Sequence, residues 1–220
     1  MVSNRQKAEA MLATIEAECQ LTKGMTGRAF LQPKVMEAMR LVSREDFVSP
    51  DLKAMAYENT PLPIGNGQTI SQPFIVALMT DLLNPEKEDT ILEVGAGSGY
   101  QAAILSVLVK QIYTIEIIPA LAERARNLLQ KLGYMNVDVR QGDGYQGWPE
   151  LAPFDGIIVT AAVSHVPPAL TDQLKPGGRL VIPIGHPYEA QQLLVIEKDE
   201  KGLLTTENVL PVSFVPFTRE

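Results

Sequence analysis

The chain has 220 residues, 45% of them hydrophobic and 20% charged, a globular composition whose length suits one domain with additions. At that size roughly 70% of the unfolded chain's surface is buried on folding, so no metal or disulfide is needed for stability. The 19 Lys and Arg against 26 Asp and Glu give a net charge of −7 and a pI near 5.0, which disfavours nucleic acid and anionic membranes as partners. The single cysteine, Cys19, excludes an intrachain disulfide and points to a reducing compartment. The opening stretch MVSNRQKAEAMLATIEAE lacks the sustained apolar run of a secretory signal. The apolar run from Ala102 to Val109 is broken by Ser106 and is too short to cross a bilayer. These features predict a soluble cytoplasmic protein.

In chain order, the spacing of Ala8, Met11, Leu12 and Ile15 predicts a first helix over Arg5 to Cys19. A second begins at Pro33 and aligns Val35, Met36, Met39 and Val42. Ser49 and Pro50 predict the N-cap and first turn of a short third helix. The segment LPIGNGQTISQP, with its prolines and glycines, reads as a loop leading into a helix that carries Phe74, Ile75, Leu78, Met79 and Leu82. From Thr90 onward strands and helices alternate. Strands are expected at Thr90–Val94, Gln111–Glu116, Val137–Gln141, Gly156–Thr160, Arg179–Ile184 and Leu193–Glu197, with helices near Gln101–Val109 and Pro119–Leu132. This pattern predicts an α/β, Rossmann-like fold with a mostly parallel sheet and helices on both faces. An N-terminal helical addition precedes it, and the short connections near the end suit an antiparallel C-terminal edge.

The run EVGAGSGY, Glu93 to Tyr100, leaves a strand and opens a helix, and Gly95, Gly97 and Gly99 let the backbone approach a ligand closely. A dinucleotide fingerprint needs a small residue where Tyr100 stands, and no P-loop Gly-Lys-Ser/Thr ending is present. Glu116 lies 21 residues after Gly95 at a strand end, where a carboxylate accepts from two adjacent ribose hydroxyls. Asp143, in GDG, either accepts from an adenine amino group or makes a turn. Together these describe an adenosine site without pyrophosphate recognition, which suits S-adenosylmethionine. With two histidines, His165 and His186, and no metal-ligand cluster, the pattern holds no metal centre.

From Arg28 to Thr218 the chain resembles the protein-L-isoaspartate O-methyltransferase family. The resemblance is carried by ENTPLPIGNGQTISQP, ILEVGAGSGYQAAIL, GDGYQGWP, FDGIIVTAA, LKPGGRLVIPIG and VPFT, and TISQP is its most specific part. Glu116 departs from the Asp that relatives often use, a change that preserves the ribose role. The resemblance implies a single methyltransferase domain over residues 1–220, with N-terminal helices and an active-site loop in 1–88 and a cofactor-binding core in 89–220. It implies methyl transfer from S-adenosyl-L-methionine, leaving S-adenosyl-L-homocysteine, to the free α-carboxylate of L-isoaspartyl residues in age-damaged proteins and peptides. The ester then collapses to a succinimide. A monomer acting on neither nucleic acid nor membrane is expected. By the same resemblance Gln68, Thr69, Ile70 and Ser71 form a loop over the cofactor, and Ser98, Glu116, Asp143, Gly144 and Thr218 make further contacts. Glu93 is expected to orient the ammonium of the methionine moiety, directly or through water. Ser71 falls at the family's active-site position, yet it also precedes a helix as an N-cap would. The alternatives are a methyltransferase for another substrate that shares only the cofactor core, and a silent adenosine-binding module.

Overall fold

The computed structural model describes residues 4–186 and 190–217. Its N-terminal third is built by apolar spacing. Helix α1 (Asn4–Thr26) buries Ala8, Met11, Leu12, Ile15 and Cys19 along one stripe. It extends seven residues past the expected end at Cys19. Beyond that point Leu21 and Met25 turn outward, so the periodicity that marks a helix lapses while the helix continues. Helix α2 (Pro33–Leu41) starts at its proline, as expected. Residues Pro50–Met55 form a 3₁₀ turn after Ser49, whose side chain makes no capping bond.

The segment read as a loop contains a hairpin, β1 (Leu62–Gly65) paired antiparallel with β2 (Gln68–Ile70). Its turn is Asn66-Gly67, both at positive φ, the conformation that a tight hairpin turn requires. The next helix, α3 (Pro73–Leu83), is buried nearly all round. Its Asp81 is 2% exposed and survives burial because Arg28 Nε pairs with it at 3.1 Å and the Gln32 amide donates to it at 2.7 Å.

The central sheet begins with β3 (Thr90–Val94), α4 (Tyr100–Ser106), β4 (Gln111–Glu116), α5 (Pro119–Leu132) and β5 (Val137–Gln141). It continues through β6 (Phe154–Val159), α6 (Pro168–Asp172), β7 (Leu174–Ile184), β8 (Gln191–Lys198) and β9 (Leu204–Val212). The strand order is β5-β4-β3-β6-β7-β8-β9, parallel through β7 and antiparallel from β7 to β9. Alternation divides the core: Ile91, Ile112, Ile158 and Val181 pack on one face, and Leu92, Val94, Ile115, Ile157 and Val159 on the other. The strand β9 was not expected from sequence. Residues 204–208 are all exposed, and the strand contains Pro211, so only its edge position accommodates it. No described helix is long and apolar enough to cross a membrane.

From β3 the chain builds outward through β4 and β5, then returns to place β6 on the opposite side of β3. Such a reversal opens a crevice beyond the carboxyl ends of the central strands. Two segments from outside the sheet close over it. The hairpin is tied down by Arg124 Nη1, which donates to the Ile64 carbonyl at 3.1 Å. The C-terminal segment is held where the Ala162 amide donates to Val215 O at 2.9 Å and the Phe217 amide to Ala162 O at 2.8 Å. The buried Gln191 amide splints the same segment, accepting from Phe214 N at 2.6 Å and donating to Phe214 O at 3.1 Å.

Candidate active site

The glycine run after β3 folds back because its amides find partners on β4. Gly95 N and Ala96 N both donate to Ile115 O, at 2.8 and 3.2 Å. A Cβ on Gly95 would lie 2.4 Å from Thr160 Oγ1, so only glycine fits between β3 and the end of β6. Gly144 is confined in the same way, with Val94 Cγ1 2.3 Å from where a Cβ would stand. Glu116, 5% exposed, braces the loop: Oε2 accepts from Gly97 N at 2.8 Å and Oε1 from Ile118 N at 2.9 Å. A carboxylate has about four lone-pair sites, so both oxygens keep acceptor capacity for a ligand.

These elements line a concave cavity that opens to solvent, the form that small-molecule sites take. Of the residues singled out from sequence, Gln68, Thr69, Ile70, Ser71, Gly95, Gly97, Ser98, Glu116 and Gly144 line it. Gly99 does not; it lies against Leu129 of α5. Asp143 lies outside the lining and caps a 3₁₀ turn, its Oδ1 accepting from Tyr145 N at 2.9 Å. Thr218 lies outside the described residues. Sequence reasoning missed Tyr100, Thr160 and the Val215–Phe217 strap as walls. Tyr100 had served only to exclude a dinucleotide, and Thr160 and the strap sat unremarked within FDGIIVTAA and VPFT. His165 and His186 are both exposed, and His165 Nε2 meets the Tyr145 hydroxyl. No group of three His, Cys, Asp or Glu side chains among the described residues could hold a metal.

Ser71 is not the cap of α3. The N-cap position belongs to Gln72, which makes no side-chain capping bond. The first-turn amide of Phe74 is instead satisfied by Asn59 Oδ1 at 3.0 Å, from fifteen residues upstream. The Ser71 side chain, half-buried, borders the cavity with no capping duty.

The family model for protein-L-isoaspartate(D-aspartate) O-methyltransferase matches residues 18–220. The chain belongs to this family. It is 59% identical over 208 residues to a protein-L-isoaspartate O-methyltransferase 2 of Syntrophobacter fumaroxidans, covering 94% of this chain and 84% of that one. A second relative of the same description, from Polaromonas, is 55% identical over 208 residues, 94% of this chain and 99% of its own. The crystal structure of a Plasmodium falciparum protein described as a protein-L-isoaspartate O-methyltransferase, in complex with S-adenosyl-L-homocysteine, matches with a TM-score of 0.79. That match is at 25% identity, over 96% of this chain and 98% of that one. The enzyme is therefore an S-adenosylmethionine-dependent methyltransferase of isoaspartyl repair.

The isoaspartyl methyltransferase's cavity can be tested for fit to that cofactor. Gly95, Gly97 and Gly144 present bare backbone along the cavity wall, and Glu116 supplies the acceptor a ribose needs. Beneath the loop, Glu93 on β3 is 0% exposed and neither carboxylate oxygen has a hydrogen-bond partner. Burial pushes its carboxyl up to about 8; Thr114 across the strand pair pulls the other way, without reaching hydrogen-bonding geometry, and Glu116 adds to the rise. An orphaned buried acid is costly unless something cationic or hydrogen-bonding reaches it. Glu93 lies outside the cavity lining, directly before Val94 and Gly95, which belong to it, so the ammonium of a methionine moiety would meet it only through water. The residues fit.

Proposed function

We propose that one cavity performs the whole transfer, with the glycine loop and Glu116 binding the cofactor and the Thr69–Ser71 segment receiving the isoaspartyl α-carboxylate. Bound there, S-adenosylmethionine supplies an activated methyl group on a sulfonium. Glu116 accepts from the ribose hydroxyls, while the backbone at Gly95, Gly97 and Gly144 permits close approach. Ser98 and the splinted segment Val215–Phe217 complete the enclosure. Asp143 acts from the turn beside Gly144, and Glu93 orients the ammonium through water.

The acceptor is ionised at pH 7, so the chain needs no general base for it. Its work is alignment, and misplacement of about 1 Å can cost on the order of 100-fold. Ser71 offers its hydroxyl to the substrate carboxylate and fixes its direction. The observation that carries this reading is that Ser71 and Glu116 border the same cavity while Asn59, not Ser71, caps α3. Thr69 is exposed and Gln68 half-buried, so this end of the cavity opens to solvent and admits a polypeptide.

Residues 1–220 act as one methyltransferase domain, since the hairpin from the N-terminal part closes the site of the core. The enzyme works as a cytoplasmic monomer on damaged proteins and peptides, a reading supported by its free, buried Cys19 and its net charge of −7. The test is methyl transfer to an L-isoaspartyl peptide and to its L-aspartyl twin. The isoaspartyl peptide is expected to be methylated and the twin largely ignored; equal transfer to both, or transfer only to a small molecule, refutes the reading.

A further inference from the structure

Arg44 lies in the 3₁₀ turn Arg44–Phe47 and is 0% exposed. A buried guanidinium is costly to desolvate and ordinarily comes with a carboxylate. Among the described residues Arg44 has no ion pair. Its hydrogen bonds go to backbone carbonyls instead. Nη1 donates to Ala56 and Glu58, and Nη2 donates to Thr60 and Ser71, each of the latter at 3.0 Å. Nε has no partner. Its Cζ stands 5.9 Å from the centroid of the Tyr100 ring. Burial lowers the group to about 10, so it carries its full charge at neutral pH.

Two of the residues that Arg44 touches, Ser71 and Tyr100, line the cavity, while Arg44 itself stands behind them. The described lining contains no Lys, Arg or His, and its one carboxylate is that of Glu116. An anionic acceptor thus enters a site whose visible charge is negative, on a protein of net charge −7. What faces it from behind Ser71 is an uncompensated cation in a low-dielectric interior, where a charge acts over longer distances than in water.

We propose that Arg44 is a positioning residue for the methyl acceptor: it fixes the Ser71 peptide through its carbonyl and supplies the buried positive charge that holds the isoaspartyl α-carboxylate there. The charge acts on the substrate and not on the product, because methylation neutralises the carboxylate and removes the attraction. Arg44 therefore favours exchange of ester for fresh substrate. The proposal rests on reading the Thr69–Ser71 segment as the acceptor side of the cavity.

The test compares Arg44→Met, Arg44→Lys and Ser71→Ala as full chains, each first checked for folding and for affinity to S-adenosyl-L-homocysteine. The substrate is an isoaspartyl peptide, and its uncharged α-carboxamide twin serves as a competitive inhibitor. Arg44→Met is expected to raise KM at least about tenfold while leaving the carboxamide's inhibition constant within about twofold. Arg44→Lys, which keeps the charge and loses the planar fork, is expected to recover most of that KM. An unchanged KM in folded Arg44→Met overturns the proposal. So does a parallel rise of KM and the carboxamide's inhibition constant, which marks a lost loop shape instead of a lost charge. If Arg44→Met does not fold, the wild-type enzyme decides: at least about tenfold preference for carboxylate over carboxamide supports the proposal, and equal affinity overturns it. Ser71→Ala keeps the carbonyl that Arg44 holds. Wild-type kinetics there beside a raised KM in Arg44→Met would remove the role of the Ser71 hydroxyl and leave Arg44's intact.

Discussion

Replacing Glu116 with Gln keeps the side chain's shape but removes its charge and one of its two acceptor oxygens. In the native loop those oxygens take amides from both sides, Gly97 at 2.8 Å and Ile118 at 2.9 Å. Whichever way the new amide turns, its NH₂ faces one backbone N–H, and leaving that donor unpaired costs about 1–3 kcal/mol. For a chain of this length each kcal/mol moves the melting temperature by roughly 2–4 °C, so the apo protein is expected to melt roughly 2–12 °C lower. Cofactor affinity suffers separately. Loss of a charge-assisted acceptor for the ribose hydroxyls is worth about 1.5–3 kcal/mol, or roughly 10–150-fold in Kd. Calorimetric titration with S-adenosyl-L-homocysteine, on protein kept well below its melting point, reads the second effect without the first. A lower melting temperature with Kd within about twofold of wild type would refute the ribose role and leave Glu116 as a brace of the glycine loop alone.

Asn59→Ala removes the acceptor for Phe74 N and is expected to cost roughly 1 kcal/mol, read as a melting shift of about 2–4 °C, with little change in turnover per folded molecule. Ser71→Ala is expected to do the reverse, lowering turnover with the melting temperature nearly unchanged; a melting loss at wild-type rate would return Ser71 to a purely structural role. Glu93, raised from an ordinary 4.5 to about 8, keeps in the folded apo protein a proton that the unfolded chain releases. Its contribution to stability is therefore full below pH 4.5 and is lost as pH rises toward 8, by at most roughly 1.4 kcal/mol per pH unit. Denaturant titrations of Glu93→Gln against wild type should show the variant gaining relative stability between those limits, and a constant difference would mean that Glu93 is already ionised.

The parallel core was legible because Thr90–Val94 is a short apolar run that ends at a glycine loop and Gln111–Glu116 is a short β-branched run between two helical segments, and both match the structure residue for residue. The edge was less legible. Residues 204–208 of β9 are exposed, so the strand is specified by pairing with β8 and not by its own pattern. The β1–β2 hairpin was hidden because its strands are only four and three residues long and the first contains Pro63 and Gly65, although Asn66-Gly67 carried the turn signal. In the site, the glycines and Glu116 were readable from local spacing. Asn59's service to Phe74 and Arg44's to Ser71 span 15 and 27 residues, contacts that no local pattern encodes. Ser71 illustrates the difference: its position beside a helix start suggested a cap, and only the fold shows a distant side chain already doing that job.

The strap at Val215–Phe217 gives the site a place in time as well as in space. During synthesis the hairpin, the glycine loop and Glu116 leave the ribosome well before the strap that walls the cavity. A nascent chain stopped short of Val215 would hold the sheet's parallel strands, the hairpin and the glycine loop, and would lack the wall that the strap supplies. The Ala162 and Gln191 contacts that fasten the strap thus form after the parallel sheet is in place. Capacity to bind the methyl donor tightly should accordingly arise only once Val215–Phe217 has been made and has docked beside Ala162.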